Sequence, residues 1–273
     1  MDNRPIGVFD SGLGGLTAVK ELIRTMPEEN IVYFGDTARV PYGSHDRETV
    51  IEFARQDLAF LLSRDVKAVL VACGTVSATA LPELRRMTSL PVIGVVEAAA
   101  REAVGISENG RIAVLATGTS IKSHAYSEII GKIAPDAFVA EQACPLFVPL
   151  VENGYVERDN EVTRMVARDY VAKIARYGAD TCILGCTHYP IIRDIIADAA
   201  LEITGCSVNM VEAGLSAVNE LGGLLCERQM RTDRTCRGST SFFVSEAADG
   251  FAEIGERFLG RKITGHVEKI SIG

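Results

Sequence analysis

The chain has 273 residues, of which 47% are hydrophobic and only 6% aromatic, with 25 glycines and no Trp. This is the composition of an ordinary soluble α/β enzyme, with enough apolar material for one large or two modest domains. A formal net charge of −8 argues against a nucleic-acid surface, and no apolar run approaches the length needed to span a bilayer. Seven cysteines, odd in number and irregularly spaced, and an N-terminus that runs from Met1 through Pro5 straight into a strand predict a reduced, cytoplasmic protein without a signal peptide.

Ile6 to Asp10 reads as a strand that breaks at Ser11-Gly12-Leu13-Gly14-Gly15, and Thr17 to Met26 as the helix that follows. The glycine loop fails the dinucleotide pattern: Thr17 stands where the third glycine belongs, and no acidic residue ends the next strand in a ribose-binding context. Its backbone N–H groups beside Asp10 suit a small carboxylate as well as a phosphate. Asn30 to Gly35 is the second strand, followed by the polar loop Asp36 to Ser44, which also fits a plain Pro/Gly turn. A long amphipathic helix, Arg47 to Arg64, leads into the run Lys67-Ala-Val-Leu-Val-Ala-Cys73-Gly-Thr75. A helix through Leu84, the strand Pro91 to Val95 and a helix opened by Glu97 follow.

From about residue 99 the pattern restarts. Ile112 to Gly118 repeats the form of Ile6 to Gly12, and Val208 to Glu212 echoes Val92 to Glu97. Between these, Asp180-Thr-Cys-Ile-Leu-Gly-Cys186-Thr187-His188-Tyr-Pro190 repeats the Cys73 stretch 113 residues on. Arg158 to Tyr177 reads as a solvent-facing amphipathic helix, and Cys144 to Gly154, with two prolines and a closing glycine, as a short, functionally placed segment. Strand Ser241 to Val244 and helix Ala247 to Leu259 complete the first half.

Alternating strands and helices predict mainly parallel sheets covered on both faces. The repeats predict two similar α/β domains, 1–98 plus 212–273 and 99–211, related by pseudo-twofold symmetry, with one Cys from each facing a single cleft. Each of these cysteines sits at the carboxyl end of a buried strand, where open α/β sheets place ligands. The start of a helix beside it would lower the thiol pKa. A strand cysteine is ordinarily inert core. Two in matched positions, each followed by a hydroxyl, suit another role: one thiol on each face of a carbon can remove a proton from one side and return it on the other, which is racemisation without a cofactor. Cys144, Cys182, Cys206, Cys226 and Cys236 lack that context and read as ordinary cysteines.

Taken together, Asp10-Ser11-Gly12 with Gly14-Gly15, the run Gly35-Asp36-Thr-Ala-Arg-Val-Pro-Tyr42-Gly43, Cys73-x-Thr75 and Leu184-Gly-Cys186-Thr187-His188-Tyr-Pro190 resemble the glutamate racemases, within the aspartate/glutamate racemase superfamily. The resemblance runs from Ile6 to about Glu212. It implies two α/β domains with the active site between them, and Cys73 and Cys186 as the two bases. It implies further that Asp10 and His188 tune or assist them with Glu152 nearby, and that Asp10, Ser11, Tyr42, Gly43, Gly74, Thr75, Thr117, Ser120, Thr187 and His188 contact the substrate. By the same resemblance the reaction interconverts L- and D-glutamate, supplies D-glutamate for peptidoglycan, uses neither cofactor nor metal, and is carried out by a homodimer.

The chain starts at its first strand and so lacks the N-terminal extension of relatives activated by a peptidoglycan precursor, which predicts no such activation. It departs from the family pattern at Gly74, where Asn is usual, at Ser120, where Thr is commoner, and at Glu212-Ala213, where Asp-Ser is common. The missing Asn amide leaves the substrate's tail open. The alternatives are a racemase for aspartate or another acidic amino acid, a related cysteine-dependent decarboxylase or isomerase, and a binding protein using the same cleft. A zinc site at Cys182, Cys186 and His188 is disfavoured, because Cys182 lies deep in a buried strand and no fourth ligand has recognisable spacing.

Overall fold

The computed structural model describes residues 1–246, 251–263 and 267–272. It separates into two compact units, residues 1–95 with 217–273, and residues 96–216.

The first unit opens with β1 (Ile6–Asp10), α1 (Leu16–Thr25), β2 (Ile31–Gly35), α2 (Arg47–Ser63), β3 (Ala68–Val71), α3 (Gly74–Thr79), α4 (Leu81–Met87) and β4 (Val92–Gly94). Helix α5 (Val95–Ile106) carries the chain onward. The second unit continues with β5 (Arg111–Ala116), α6 (Gly118–Lys122), α7 (Ala125–Ile133), β6 (Phe138–Ala143), α8 (Phe147–Glu152), α9 (Glu161–Ala175), β7 (Thr181–Leu184), α10 (Arg193–Thr204) and β8 (Asn209–Glu212). The chain then returns through α11 (Ala213–Glu227) to add β9 (Thr240–Val244), α12 (Phe251–Leu259) and β10 (Val267–Lys269) to the first unit. Residues 247–250 of the helix expected from Ala247 lie outside the described residues.

The first sheet has the order β10-β9-β2-β1-β3-β4 and the second β6-β5-β7-β8, and every pairing is parallel. The order β2-β1-β3-β4 is matched strand for strand by β6-β5-β7-β8. Strands β1, β2, β3 and β7 are buried along their whole length, which is why they read as continuous apolar runs rather than alternating ones. On one face of the first sheet, Val50, Ala54, Leu58 and Leu61 of α2 join Phe9, Phe34, Val69 and Val71 in a common core.

Two of the boundaries that differ from those expected are set by prolines. The helix after Cys73 breaks at Ala80 into α3 and α4, because Pro82 has no N–H to donate and is accommodated only in the first turn of a helix. After Cys186 the chain makes a 3-10 turn at Tyr189–Ile192, again with a proline in its first turn, before α10 begins at Arg193.

Candidate functional site

Each thiol follows its strand by the same interval. Cys73 lies two residues past the end of β3 and Cys186 two residues past the end of β7, the matching strand of the other sheet. Neither apolar run continues past its cysteine, so both side chains sit at the carboxyl edge of a parallel sheet.

In the first unit Cys73 is the N-cap residue of α3, and its Sγ donates to Ser11 Oγ at 3.5 Å. Asp10 ends β1, the strand next to β3, and is buried. Its Oδ2 accepts the Gly12 backbone N–H at 3.0 Å, which folds the glycine loop back over the carboxylate. Gly15 is required there, since a Cβ at that position would stand 2.6 Å from the Asp10 Cβ. Gly74 is the first residue of α3, and Thr75 is buried one step further on. The sequence predicts a thiol made acidic by a helix start. The structure reverses this for Cys73: burial, reinforced by the Asp10 charge, pushes the thiol up to about 12 and outweighs the hydrogen bond to Ser11. A six-residue helix has too little dipole to offset that desolvation.

Tyr42 and Gly43 lie on a 3-10 turn, Tyr42–Ser44, that packs against α3. The tyrosine side chain does not point to open solvent. It is buried, and its hydroxyl meets the carboxyl groups of Asp36 and Asp57. The motifs in the sequence do not mark Asp57, although a signal exists: it is a charged residue on the stripe of α2 that otherwise presents Val50, Ala54, Leu58 and Leu61 to the core.

In the second unit Cys186 Sγ lies 3.8 Å from His188 Nδ1, and Thr187 Oγ1 lies 3.3 Å from the same nitrogen. The other ring nitrogen, Nε2, is 3.0 Å from Glu152 Oε1, which makes Glu152, at the end of α8, the outer partner of the imidazole. Burial by itself would lower the His188 pKa, but hydrogen bonds with Cys186 and Glu152 outweigh it and push the imidazole up to about 10. Thr117 follows β5 as Ser11 follows β1. It caps α6, its Oγ1 accepting the Ser120 N–H at 3.3 Å and lying 3.0 Å from the Ser120 hydroxyl. Cys182, the further ligand of the disfavoured zinc reading, lines an apolar cavity with Val171, Ile196 and Met210. Among the described residues, no three His, Cys, Asp or Glu side chains gather as metal ligands would.

Each unit thus gathers its share of the expected residues. Asp10, Ser11, Cys73, Gly74 and Thr75 meet at one sheet edge, and Cys186, Thr187, His188 and Glu152 at the other. The family model for Asp/Glu/Hydantoin racemase matches residues 8–221. The chain belongs to that racemase family. Within the family it is 42% identical to the glutamate racemase of Geobacter metallireducens over 98% of this chain and 97% of the relative, and 41% identical to that of Neisseria meningitidis over 99% and 97%. Its fold superposes on the crystal structure of the Francisella tularensis glutamate racemase in complex with D-glutamate with a TM-score of 0.90. That match has 37% identity and covers 100% of this chain and 99% of the other. Among the described residues, no helix of this racemase-family chain is long and apolar enough to cross a membrane.

Proposed function

We propose that this protein interconverts L- and D-glutamate by two-base proton transfer at the α-carbon, with Cys73 and Cys186 as the bases and no cofactor. The observation that carries the reading is the matched placement of the two thiols. Each lies two residues past equivalent parallel strands, one beside Ser11 and Asp10 and the other beside Thr187 and His188.

A racemase of this kind needs one sulfur ionised and the other protonated at the start of each turnover. The thiolate takes the α-proton from one face, the electron pair remains on the α-carbon and its carboxylate, and the thiol delivers its proton to the opposite face. The two sulfurs then have exchanged protonation states: this form acts on the product enantiomer, and proton exchange with solvent restores the starting form for another turnover in the same direction. The protonated Cys73 thiol supplies the donor for one direction. The His188 imidazolium, 3.8 Å from the Cys186 sulfur, supports the negative charge that this sulfur carries as base. Glu152 in turn holds the imidazolium. Ser11, Gly43, Gly74, Thr75, Thr117, Ser120 and Thr187 offer hydroxyl and backbone donors for the substrate's carboxylates, which a chain of net charge −8 cannot provide from a basic surface. Gly74, in place of the usual Asn, leaves that contact to backbone or water.

By family resemblance the D-glutamate feeds peptidoglycan synthesis, in the reducing cytoplasm that seven free cysteines favour, and the protein works as a homodimer. Sedimentation showing a monomer at assay concentration would remove the dimer. The function itself is tested by chiral chromatography of L- and D-glutamate incubated with purified protein in deuterated water, with aspartate as control. Racemisation of both glutamate enantiomers with deuterium entering the α-position is expected. A requirement for added pyridoxal phosphate, or faster turnover of aspartate, would overturn the reading.

A further inference from the structure

Loop 36–44 is tied to helix α2 by a buried polar cluster that the thiol chemistry does not use. Arg39 donates from Nε to Asp36 Oδ2, from Nη2 to Asp57 Oδ1 at 3.0 Å, and from Nη1 to Gln56 Oε1, while its guanidinium lies 4.2 Å over the Phe53 ring. The Tyr42 hydroxyl contacts Asp36 Oδ2 and, at 2.9 Å, Asp57 Oδ2. Asp36 and Asp57 are completely buried.

Counting protons decides how this cluster is charged. A phenol has one hydrogen and cannot donate to two carboxylates at once, so one of the two carboxyl groups must donate to the phenol oxygen. Asp57 is the better placed to donate: its Oδ2 faces only Tyr42 while Arg39 Nη2 is on Oδ1, whereas the Asp36 oxygen that faces Tyr42 already accepts from Arg39 Nε. Once Tyr42 gives its one hydrogen to Asp36, an ionised Asp57 would keep Arg39 Nη2 on Oδ1 but face the phenol oxygen with no donor on Oδ2. The groups facing Asp57 are Asp36, Arg39, Tyr42 and, further off, Asp10, so one cation stands against two other carboxyls. The electrostatics agree: burial first, and then the Asp36 charge, hold Asp57 well above the ordinary carboxyl range.

We infer that Asp57 is a positioning residue that carries a proton at neutral pH and, through the relay Asp57 O–H to Tyr42 O–H to Asp36 and its bond with Arg39, locks loop 36–44 in its substrate-binding shape. The role of the loop rests on the reading that residues 42 and 43 contact the substrate. The protonation of Asp57 does not.

An amide copies a protonated carboxyl, so Asp57→Asn keeps a donor for Tyr42 and an acceptor for Arg39; Asp57→Ala removes both, and Asp36→Asn removes the anion to which Arg39 and Tyr42 donate. Asp57→Asn should leave kcat and KM for glutamate within about twofold of the parent. Asp57→Ala and Asp36→Asn should raise KM about tenfold, the scale of one lost hydrogen bond, with a smaller effect on kcat. Independently of turnover, isotope-edited infrared spectra of the full chain carrying 13C-labelled aspartate should show a protonated-carboxyl stretch at neutral pH that vanishes in Asp57→Asn. The inference is overturned if that band is absent from the parent or unchanged in Asp57→Asn, or if Asp57→Asn loses as much as Asp57→Ala. A band present in a protein that does not racemise glutamate would sink the functional reading alone, and an active enzyme without the band would sink this one alone.

Discussion

Replacing Glu152 by Gln isolates the outer member of the Cys186-His188-Glu152 series. Glu152 Oε1 is 3.0 Å from His188 Nε2, and the imidazole side chain is 11% exposed while the carboxylate is 49% exposed. A hydrogen bond to a charged group contributes about 1.5–3 kcal/mol, but exposed ion pairs contribute only about 0–1 kcal/mol, so a half-exposed carboxylate is assigned about 1 kcal/mol. At about 1.36 kcal/mol per pKa unit this lowers the His188 pKa by about 0.7 of a unit. At about 1.4 kcal/mol per decade it costs about fivefold in rate for the direction in which Cys186 accepts the proton. The sign follows from charge: without the carboxylate the imidazolium is lost at lower pH, so the alkaline limb of the rate profile moves toward acid. Initial rates from L- and from D-glutamate, followed by circular dichroism through the neutral and alkaline range, measure both quantities. The stability term has the same origin. A His whose pKa rises from 6.5 to about 10 on folding contributes stability that is fully present below pH 6.5 and lost as pH rises through about 10. The melting-temperature gap between parent and Glu152→Gln should therefore close above that pH. An unchanged alkaline limb, or one that moves toward base, would refute the role given to Glu152.

Cys73→Ala and Cys186→Ala should each abolish racemisation in both directions, yet eliminate chloride from β-chloroglutamate of opposite handedness; elimination from the same enantiomer by both would refute the two-base assignment. Gly35→Ala would put a Cβ 2.3 Å from the Gly12 carbonyl oxygen, an overpacking cost of about 1–3 kcal/mol. It should lower the melting temperature and, by moving the loop that carries Ser11, the activity as well; normal values of both would contradict the geometry. Lys67 donates from Nζ to Glu29 Oε2 at 2.6 Å and to the Asp2 and Met230 carbonyls at 2.8 Å each, in a fully buried position. Lys67→Met should cost about 3 kcal/mol in denaturant unfolding, the low end for breaking a buried pair, because Thr232 N–H and Arg231 still serve Glu29. A loss below about 1 kcal/mol would show that the pair is not needed.

The parallel strands, the repeat and the two cysteines that end matching strands are legible in the amino-acid order alone. These are local signals: a buried parallel strand is a short apolar run, and a thiol followed by a hydroxyl can be read without knowing what lies beside it. The placement of Asp10 and Ser11 beside Cys73, and of His188 beside Cys186, came from family resemblance and from adjacency in the chain. The electrical state of these groups depends on packing between elements far apart in the chain. The helix start after Cys73 suggested an acidic thiol, whereas enclosure by the sheet edge and the Asp10 charge raise it, because desolvation depends on everything packed around the sulfur. In the same way, Tyr42 and the loop before it read in sequence as ligand-binding polarity, and α2 as a plain amphipathic helix. That a phenol, a guanidinium and two carboxyls close on one another across 21 residues of sequence depends on how α2 docks on the sheet. No periodicity in the chain records that contact.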